Sequence, residues 1–339
     1  MGDQKRYVLA LTPDSLRGPL APGDIIEVGF QVLDADTQRA PDEPMAVTLQ
    51  LLKSGPNEAV VGRSRNETTW QQALQLDCDR KSGLVHFFIK AGKTSGRIYG
   101  SANIEGLNDT QHYVNLPAKL EVLDITSLRI VSGEPQFRTL DGPVFDDLVV
   151  QISDRGGRPV TDAPVQFVSK NLPAGMRLPS GPVRTDKKGI AHLSLKPDEA
   201  CGLFQVEARS GALAVEFHLA LSPASEALEL SVVSPCYVEQ PHGAAPCRVT
   251  LQSRNGRTQS WPYALGFASV ISGPVQLNNP PNGELHTDAA GMLVGSNGLF
   301  PVLQAIPVET ASEGLVQFIV DLPGHKPLTA QLLVKFIRF

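Results

Sequence analysis

The sequence predicts an all-β chain: three tandem two-sheet sandwiches in an elongated array. Three observations predict it: a pattern that recurs at a near-constant stride, side chains that alternate with a period of two, and turns that interrupt the alternation at short intervals. Of the 339 residues, 42% are hydrophobic and 19% charged, enough apolar material for several cores and too little charge for a disordered chain. The 30 glycines and 27 prolines are about one residue in six. A surplus of that kind without a triplet period suits many short strands joined by turns.

The repeat comes first, because it sets the architecture. Gly83-Leu-Val-His86-Phe-Phe-Ile-Lys90-Ala91 aligns without gaps on Gly189-Ile-Ala-His192-Leu-Ser-Leu-Lys196-Pro197, and Gly96 and Ala102 fall on Gly202 and Ala208 at the same offset of 106 residues. A third copy is looser. Val150-Gln-Ile-Ser-Asp-Arg155-Gly-Gly157-Arg158 recurs as Val249-Thr-Leu-Gln-Ser-Arg254-Asn-Gly256-Arg257, and Thr185-Asp186-Lys-Lys-Gly189 as Thr287-Asp288-Ala-Ala-Gly291. The third copy carries an insertion between about Gly295 and Ala311. The expected units are 1–124, 125–223 and 224–339, the first divergent and the third enlarged.

Within a unit the alternation is that of strands with one wet face. Val28, Phe30 and Val32 alternate with Gly29 and Gln31; Leu148, Val150 and Ile152 do the same, as do Val249 and Leu251, and Phe204, Val206 and Ala208. Between them stand Asp154-Arg-Gly-Gly157, Asn255-Gly256, Asp186-Lys-Lys-Gly189 and Asp288-Ala-Ala-Gly291. In Asp-x-x-Gly the carboxylate accepts backbone N–H bonds and the glycine supplies a positive φ. No long window shows a helical stripe with caps; Asn66 to Leu76 offers one turn of helix at most. Short antiparallel strands in units of this size point to sandwiches of immunoglobulin type. The Cys-Trp-Cys hallmark of antibody domains is missing, so the cores are expected to close on aliphatic residues alone.

The middle unit resembles the bacterial immunoglobulin-like repeats of the invasin and intimin type. The resemblance is carried by Gly157-Arg-Pro-Val160, Ala163-Pro-Val-Gln-Phe167, Thr185-Asp-Lys-Lys-Gly189-Ile-Ala191 and Gly202-Leu-Phe-Gln-Val-Glu-Ala208. It covers about residues 126–222, is partial in the third unit, where Trp261-Pro262-Tyr263 replaces the Pro-Val step, and is weak in the first. It implies a fold more than a function: such domains serve as stalks, spacers and contact modules of surface adhesins.

Little reactive chemistry is legible. The formal net charge of −5 argues against nucleic acid as partner, since phosphate backbones reward a basic excess, and no apolar run approaches the ~18 residues of a membrane span. The apolar stretch from Tyr7 to Leu11 is too short for the core of a signal peptide, and Arg6 stands where a myristoylation motif at Gly2 would need Ser or Thr; the compartment is not legible. There is no phosphate loop, nucleophile elbow or His-Glu-x-x-His. His86 and His192 are equivalent strand residues with an expected structural role. His286-Thr-Asp288 is a poor metal ligand set because Asp288 is turn chemistry. The acidic pairs Asp34 with Asp36, Asp77 with Asp79, and Asp146 with Asp147 read as solvated loop carboxylates rather than a calcium site. No cofactor, metal or catalytic residue is expected.

The candidate binding residues are Trp70, which stands among polar residues, and Trp261 with Tyr263, because exposed Trp and Tyr stack on sugars or anchor protein partners. Filling a sandwich edge explains them as well. Asn66-Glu-Thr68 and Asn108-Asp-Thr110 fit the glycosylation pattern, which matters only in a eukaryotic secretory setting. Cys236 and Cys247 flank a turn-like stretch and are the one close pair among Cys78, Cys201, Cys236 and Cys247. They are either a disulfide, adding roughly 3 kcal/mol in the chain-entropy model, or two reduced thiols. Linkers at Asp124 to Thr126 and Ser222 to Ser225 are short, which predicts a semi-rigid rod. The expected function is a non-catalytic spacer or module that binds a protein partner or cell-surface ligand, with carbohydrate binding as the alternative. A contact surface is expected on an end unit, since a middle unit has both poles occupied.

Overall fold

A computed structural model describes residues 7–13, 18–52, 58–105, 113–169, 171–173, 175–196, 201–240, 243–254, 260–279, 283–307 and 313–337. The Asn108 glycosylation site, the Asn255-Gly256 turn and Gly2 lie outside them. Three apolar clusters follow one another along the chain, each closed between antiparallel sheets.

The first unit contains β1 (Tyr7–Leu11), β2 (Ile25–Asp34), β3 (Ala46–Leu51), β4 (Val60–Gly62), β5 (Ala73–Asp77), β6 (Leu84–Lys90), β7 (Gly96–Arg97), β8 (Gly100–Ile104), β9 (Tyr113–Asn115) and β10 (Glu121–Val122). One sheet runs β1-β2-β6-β4, the other β5-β3-β8-β9, and β7 pairs with β10. The alternating Val28, Phe30 and Val32 are buried as expected, and Phe30 meets Phe87 edge-on at 5.9 Å. The expected helical turn within Asn66 to Leu76 is corrected. Glu67 accepts the N–H groups of Arg63, Thr68 and Thr69 in a loop, after which β5 pairs with β3.

The second unit shows the immunoglobulin-like topology most plainly. Its strands are β11 (Ser127–Ser132), β12 (Gln136–Thr139), β13 (Leu148–Ser153), β14 (Pro164–Ser169), β15 (Val183–Arg184), β16 (Ile190–Leu193), β17 (Gly202–Ser210) and β18 (Leu213–Ser222). β11-β13-β16 faces β12-β18-β17-β14-β15. The first edge is split: β11 pairs antiparallel with β13, whereas β12 crosses over and pairs parallel with β18.

The third unit repeats this plan. A short 3-10 turn (Ser225–Ala227) leads to β19 (Leu228–Val232), β20 (Cys236–Glu239), β21 (Ala244–Pro246), β22 (Val249–Ser253), β23 (Leu265–Ser272), β24 (Val275–Asn279), β25 (Glu284–Thr287), β26 (Leu293–Val294), β27 (Val302–Ala305), β28 (Glu313–Val320) and β29 (Leu328–Ile337). β19 pairs with β22, and β20 pairs parallel with β29 as β12 does with β18. The large sheet runs β20-β29-β28-β23-β25-β26. The insertion seen in the sequence supplies β27, which forms a further small sheet, β21-β27-β24.

The Asp-x-x-Gly turns are built as the sequence implies. Asp186 Oδ1 accepts the N–H groups of Lys188 and Ile190 at 2.8 and 2.9 Å. Asp288 does the same for Ala290 and Met292, with Gly189 and Gly291 at φ 70° and 73°. The expectation of purely aliphatic cores is corrected: Trp261, Phe30, Phe87, Phe217 and Phe318 are among the largest fully buried side chains. Aromatic bulk takes over the filling role that a disulfide and its tryptophan have in antibody domains.

Candidate functional site

For a tandem array the places that decide behaviour are the joints, and the two joints are assembled from the same parts. In the first, the β17–β18 hairpin packs on the loop preceding β2. Gly211, at φ 60°, lies so close that a Cβ there would come within 2.4 Å of the Pro22 carbonyl oxygen. In the second, the β28–β29 hairpin packs on the loop preceding β13, where a Cβ on Gly324 would sit 2.8 Å from Pro143 Cδ. Apolar contact crosses both joints: Ala21 belongs to the second cluster, Phe137 and Ala220 to the third.

Polar contacts fix each joint. Arg184 Nη1 donates to the carbonyls of Pro19 (2.7 Å) and Asp162 (2.9 Å), tying the first two units together. At the second joint Asp141 accepts the N–H and hydroxyl of Ser225, both at 2.9 Å, and lies 3.2 Å from His325 Nε2. His218 Nδ1 meets Glu134 at 2.6 Å, and the His218 ring lies 6.1 Å from that of Tyr263.

Burial and hydrogen bonding compete at these contacts. Burial pushes the Asp24 carboxyl up, against the N–H of Ala21 and the Arg184 guanidinium, which pull the other way. Burial acts upward on Asp141 too, but there the Ser225 and Thr139 hydrogen bonds outweigh it and hold the carboxyl below its ordinary value. The Tyr263 phenol is raised by burial first and by the Glu134 carboxylate second.

The structure separates the candidate binding residues. Trp261 is 1% exposed and its Nε1–H donates to Ser253 Oγ at 2.9 Å, so the expectation of a stacking surface there is corrected. Its N–H donates to Leu251 just as that of Val160 donates to Ile152: Trp261 stands where the second unit has a core valine. Tyr263 lies at the second joint. Trp70, in the first unit, is half-buried, with its ring against Gly62 and the Lys90 ammonium 5.7 Å from its centre. No common platform forms from the three. His86 and His192 are equivalent, each facing a carboxylate: Glu27 at 2.9 Å and Asp147 at 3.9 Å.

Other features escaped the sequence. A groove of about 420 Å³ runs beside edge strand β5, lined by Arg63, Gln71, Leu74 and Leu76 among others. On the outer face of the large sheet in the third unit, Leu265 (63% exposed) and Phe267 (45%) stand beside half-buried Ile319. Of the two states that the sequence left open for Cys236 and Cys247 the structure holds the reduced one: both pack in the third cluster as free thiols. Among the described residues no group of His, Cys, Asp or Glu comes together in a form that could hold a metal ion, and no helix is long and apolar enough to cross a membrane.

No family model matches the chain, and no curated protein matches it. Among solved structures it is similar to a three-domain immunoglobulin fragment of titin, I67–I69 (10% identity, 95% of each chain, TM-score 0.21). It is also similar to extracellular domains 3–5 of Drosophila OTK (12% identity, 96% of this chain and 98% of that one, TM-score 0.21). Repeats EC22–24 of mouse cadherin-23 match at 13% identity over 98% of this chain and 100% of that one, again with a TM-score of 0.21. At such scores these likenesses carry no functional argument; the fold class rests on the sheet order itself.

Proposed function

We propose that the chain is a non-catalytic, semi-rigid spacer of three immunoglobulin-like units, 1–124, 125–223 and 224–339, that holds a protein-binding surface at a set distance. The observation that carries this reading is the repeated joint. Two successive interfaces use the same hairpin on the same loop, and each adds hydrogen bonds across the boundary. A flexible string of beads has no use for such contacts, whereas a spacer that must transmit direction does.

The invasin- and intimin-like pattern of the middle unit supports a bacterial adhesion setting. For the contact surface we favour the outer face of the third unit's large sheet, because exposed Leu265 and Phe267 beside Ile319 give it the apolar character of a protein-binding patch. Carbohydrate binding loses its main support with the burial of Trp261.

Small-angle scattering tests the spacer. A compact chain of this length has a radius of gyration of about 20 Å; the proposal expects a clearly larger value and a pair-distance distribution with a long tail. A value near 20 Å, or a distribution that only a freely hinged ensemble fits, defeats it.

A further inference from the structure

Cys236 opens β20, the edge strand of the large sheet in the third unit, with its Cα opposite Val334 of β29. Cys247 directly follows β21, an edge strand of the inserted small sheet, and its N–H donates to the Pro301 carbonyl at 2.8 Å. The two therefore belong to different sheets and approach across the seam between them. β20 and β21 lie against each other, and both cysteines pack in the same apolar cluster. Access is unequal: Cys247 is 2% exposed, whereas Cys236 is half-buried.

We infer that Cys236 and Cys247 form a redox-responsive dithiol, in which Cys236 is attacked first and Cys247 resolves, and whose disulfide ties the inserted sheet to the edge of the main one. The electrostatics agree. The Cys247 S–H bond holds the Cys236 thiol down at about 7 against the upward effect of burial. Cys247 itself is pushed far up by the same contact and by burial. The other two thiols lack such a neighbour: burial, and then Asp77, push Cys78 up to about 11, and burial raises Cys201. A thiolate near neutrality beside a buried resolving thiol is the arrangement that dithiol exchange requires.

The oxidant is a low-molecular-weight disulfide such as glutathione disulfide. The Cys236 thiolate attacks one of its sulfurs; the oxidant's S–S bond breaks and one glutathione leaves as thiolate, which takes up a proton. Cys247 then gives its proton to solvent and attacks Cys236 Sγ in the mixed disulfide, expelling the second glutathione. Two protein thiols have lost two electrons and two protons, and one glutathione disulfide has become two molecules of glutathione.

The test uses the full chain carrying Cys201→Ser, incubated folded with glutathione disulfide at neutral pH and read by intact mass and peptide mapping. The expected product is a monomer lighter by two hydrogens, with Cys236 cross-linked to Cys247. Cys247→Ala on this background should stop at a lasting glutathione adduct on Cys236. Cys236→Ala should leave Cys247 reacting at least about tenfold more slowly than Cys236 does in the Cys201→Ser parent, where the Cys247 S–H bond is intact. Circular dichroism identifies any variant that fails to fold; for such a variant, alkylation rates of the two thiols in the parent protein supply the same comparison. Thiols that stay free at both positions, a glutathione adduct that persists on Cys236 while Cys247 is present, a disulfide between two chains, or equal reactivity of the two cysteines overturns the inference.

Discussion

Tyr263 and Asp162 occupy the same turn in successive units. Both have a positive φ, 70° and 59°, and each donates its N–H at 2.9 Å to the carbonyl of a buried threonine, Thr287 or Thr185. In both units that turn also touches the preceding unit: Asp162 through Arg184 and Gly18, Tyr263 through His218. A tyrosine in the left-handed region costs about 1 kcal/mol relative to a residue that tolerates it. Tyr263→Asn should therefore leave the urea midpoint of the third unit nearly unchanged or slightly raised, while loosening the second joint. Backbone relaxation measured separately for the second and third units would show them tumbling less in concert. A drop of several kcal/mol in stability would mean that the ring fills the core instead.

The threonines themselves are structural. Thr185 Oγ1 donates to Val160 O at 2.7 Å and accepts the N–H of Ala163 at 2.8 Å; Thr287 accepts the N–H of Ala264 at 2.8 Å. Thr185→Val keeps the shape and strands a buried N–H, which costs about 1–3 kcal/mol. Equilibrium unfolding should show that loss in the second unit, and Thr287→Val should show its counterpart in the third.

Trp261 is the bulk of the third core. Trp261→Ala should destabilise that unit by about 3–5 kcal/mol, as loss of a large buried aromatic does. Trp261→Phe should cost less, since it loses the bond to Ser253 and part of the volume. Denaturant titration followed by fluorescence of the remaining Trp70, alongside circular dichroism, separates the units. A Trp261→Ala protein of unchanged stability would contradict its place in the core.

What the sequence made legible was local. Period-two alternation at Val28, Phe30 and Val32, and the Asp186 and Asp288 turns, follow from φ, ψ and hydrogen bonds within a few residues, so they are written in contiguous stretches. The fate of Trp261 was not: the sequence sets Trp261-Pro262-Tyr263 against the Pro-Val step of the second unit, but whether Val160 of that step is buried depends on the opposite sheet, and only that burial places Trp261 in the core. The joints were invisible for a related reason. Arg184 and Pro19 are 165 residues apart, and no local pattern marks the donor of such a contact. The glycines at 211 and 324, each at a hairpin between the last two strands of its unit, were the available signal.

The turn carboxylates make stability depend on acid. The Asp79 carboxyl is held below its ordinary value by Ser82, first through the hydroxyl and then through the N–H. Asp154 is lowered chiefly by the N–H of Arg158 and Asp186 by that of Ile190. A lowered folded-state value means that the stabilisation is complete above the unfolded-state value of about 3.9. It is lost as pH falls through the lower folded-state value. Thermal melts should accordingly be flat from neutrality to about pH 5 as far as these groups are concerned, and fall below pH 4. Asp186→Asn should melt lower than the parent at neutral pH, and the gap should close in acid, where both side chains are uncharged. A gap that widens in acid would show the wrong sign.

The last test concerns transmission across the first joint. Arg184 sits on β15 but spends its Nη1 hydrogens on two carbonyls, one of them in the neighbouring unit. It also faces Asp24, whose carboxyl is buried in the joint. Arg184→Ala removes both hydrogen bonds and leaves Asp24 without that counter-charge. The second core, made of residues such as Val165, Phe204 and Phe217, keeps all its apolar contacts. The expected result is a stability change in the second unit of about 1 kcal/mol or less, with a measurably broader distribution of distances between labels placed on the first and second units. If the distance distribution stays narrow, hairpin packing at Gly211 alone holds the joint and the guanidinium is incidental to it. If the second unit unfolds, Arg184 belongs to the domain rather than to the link between domains.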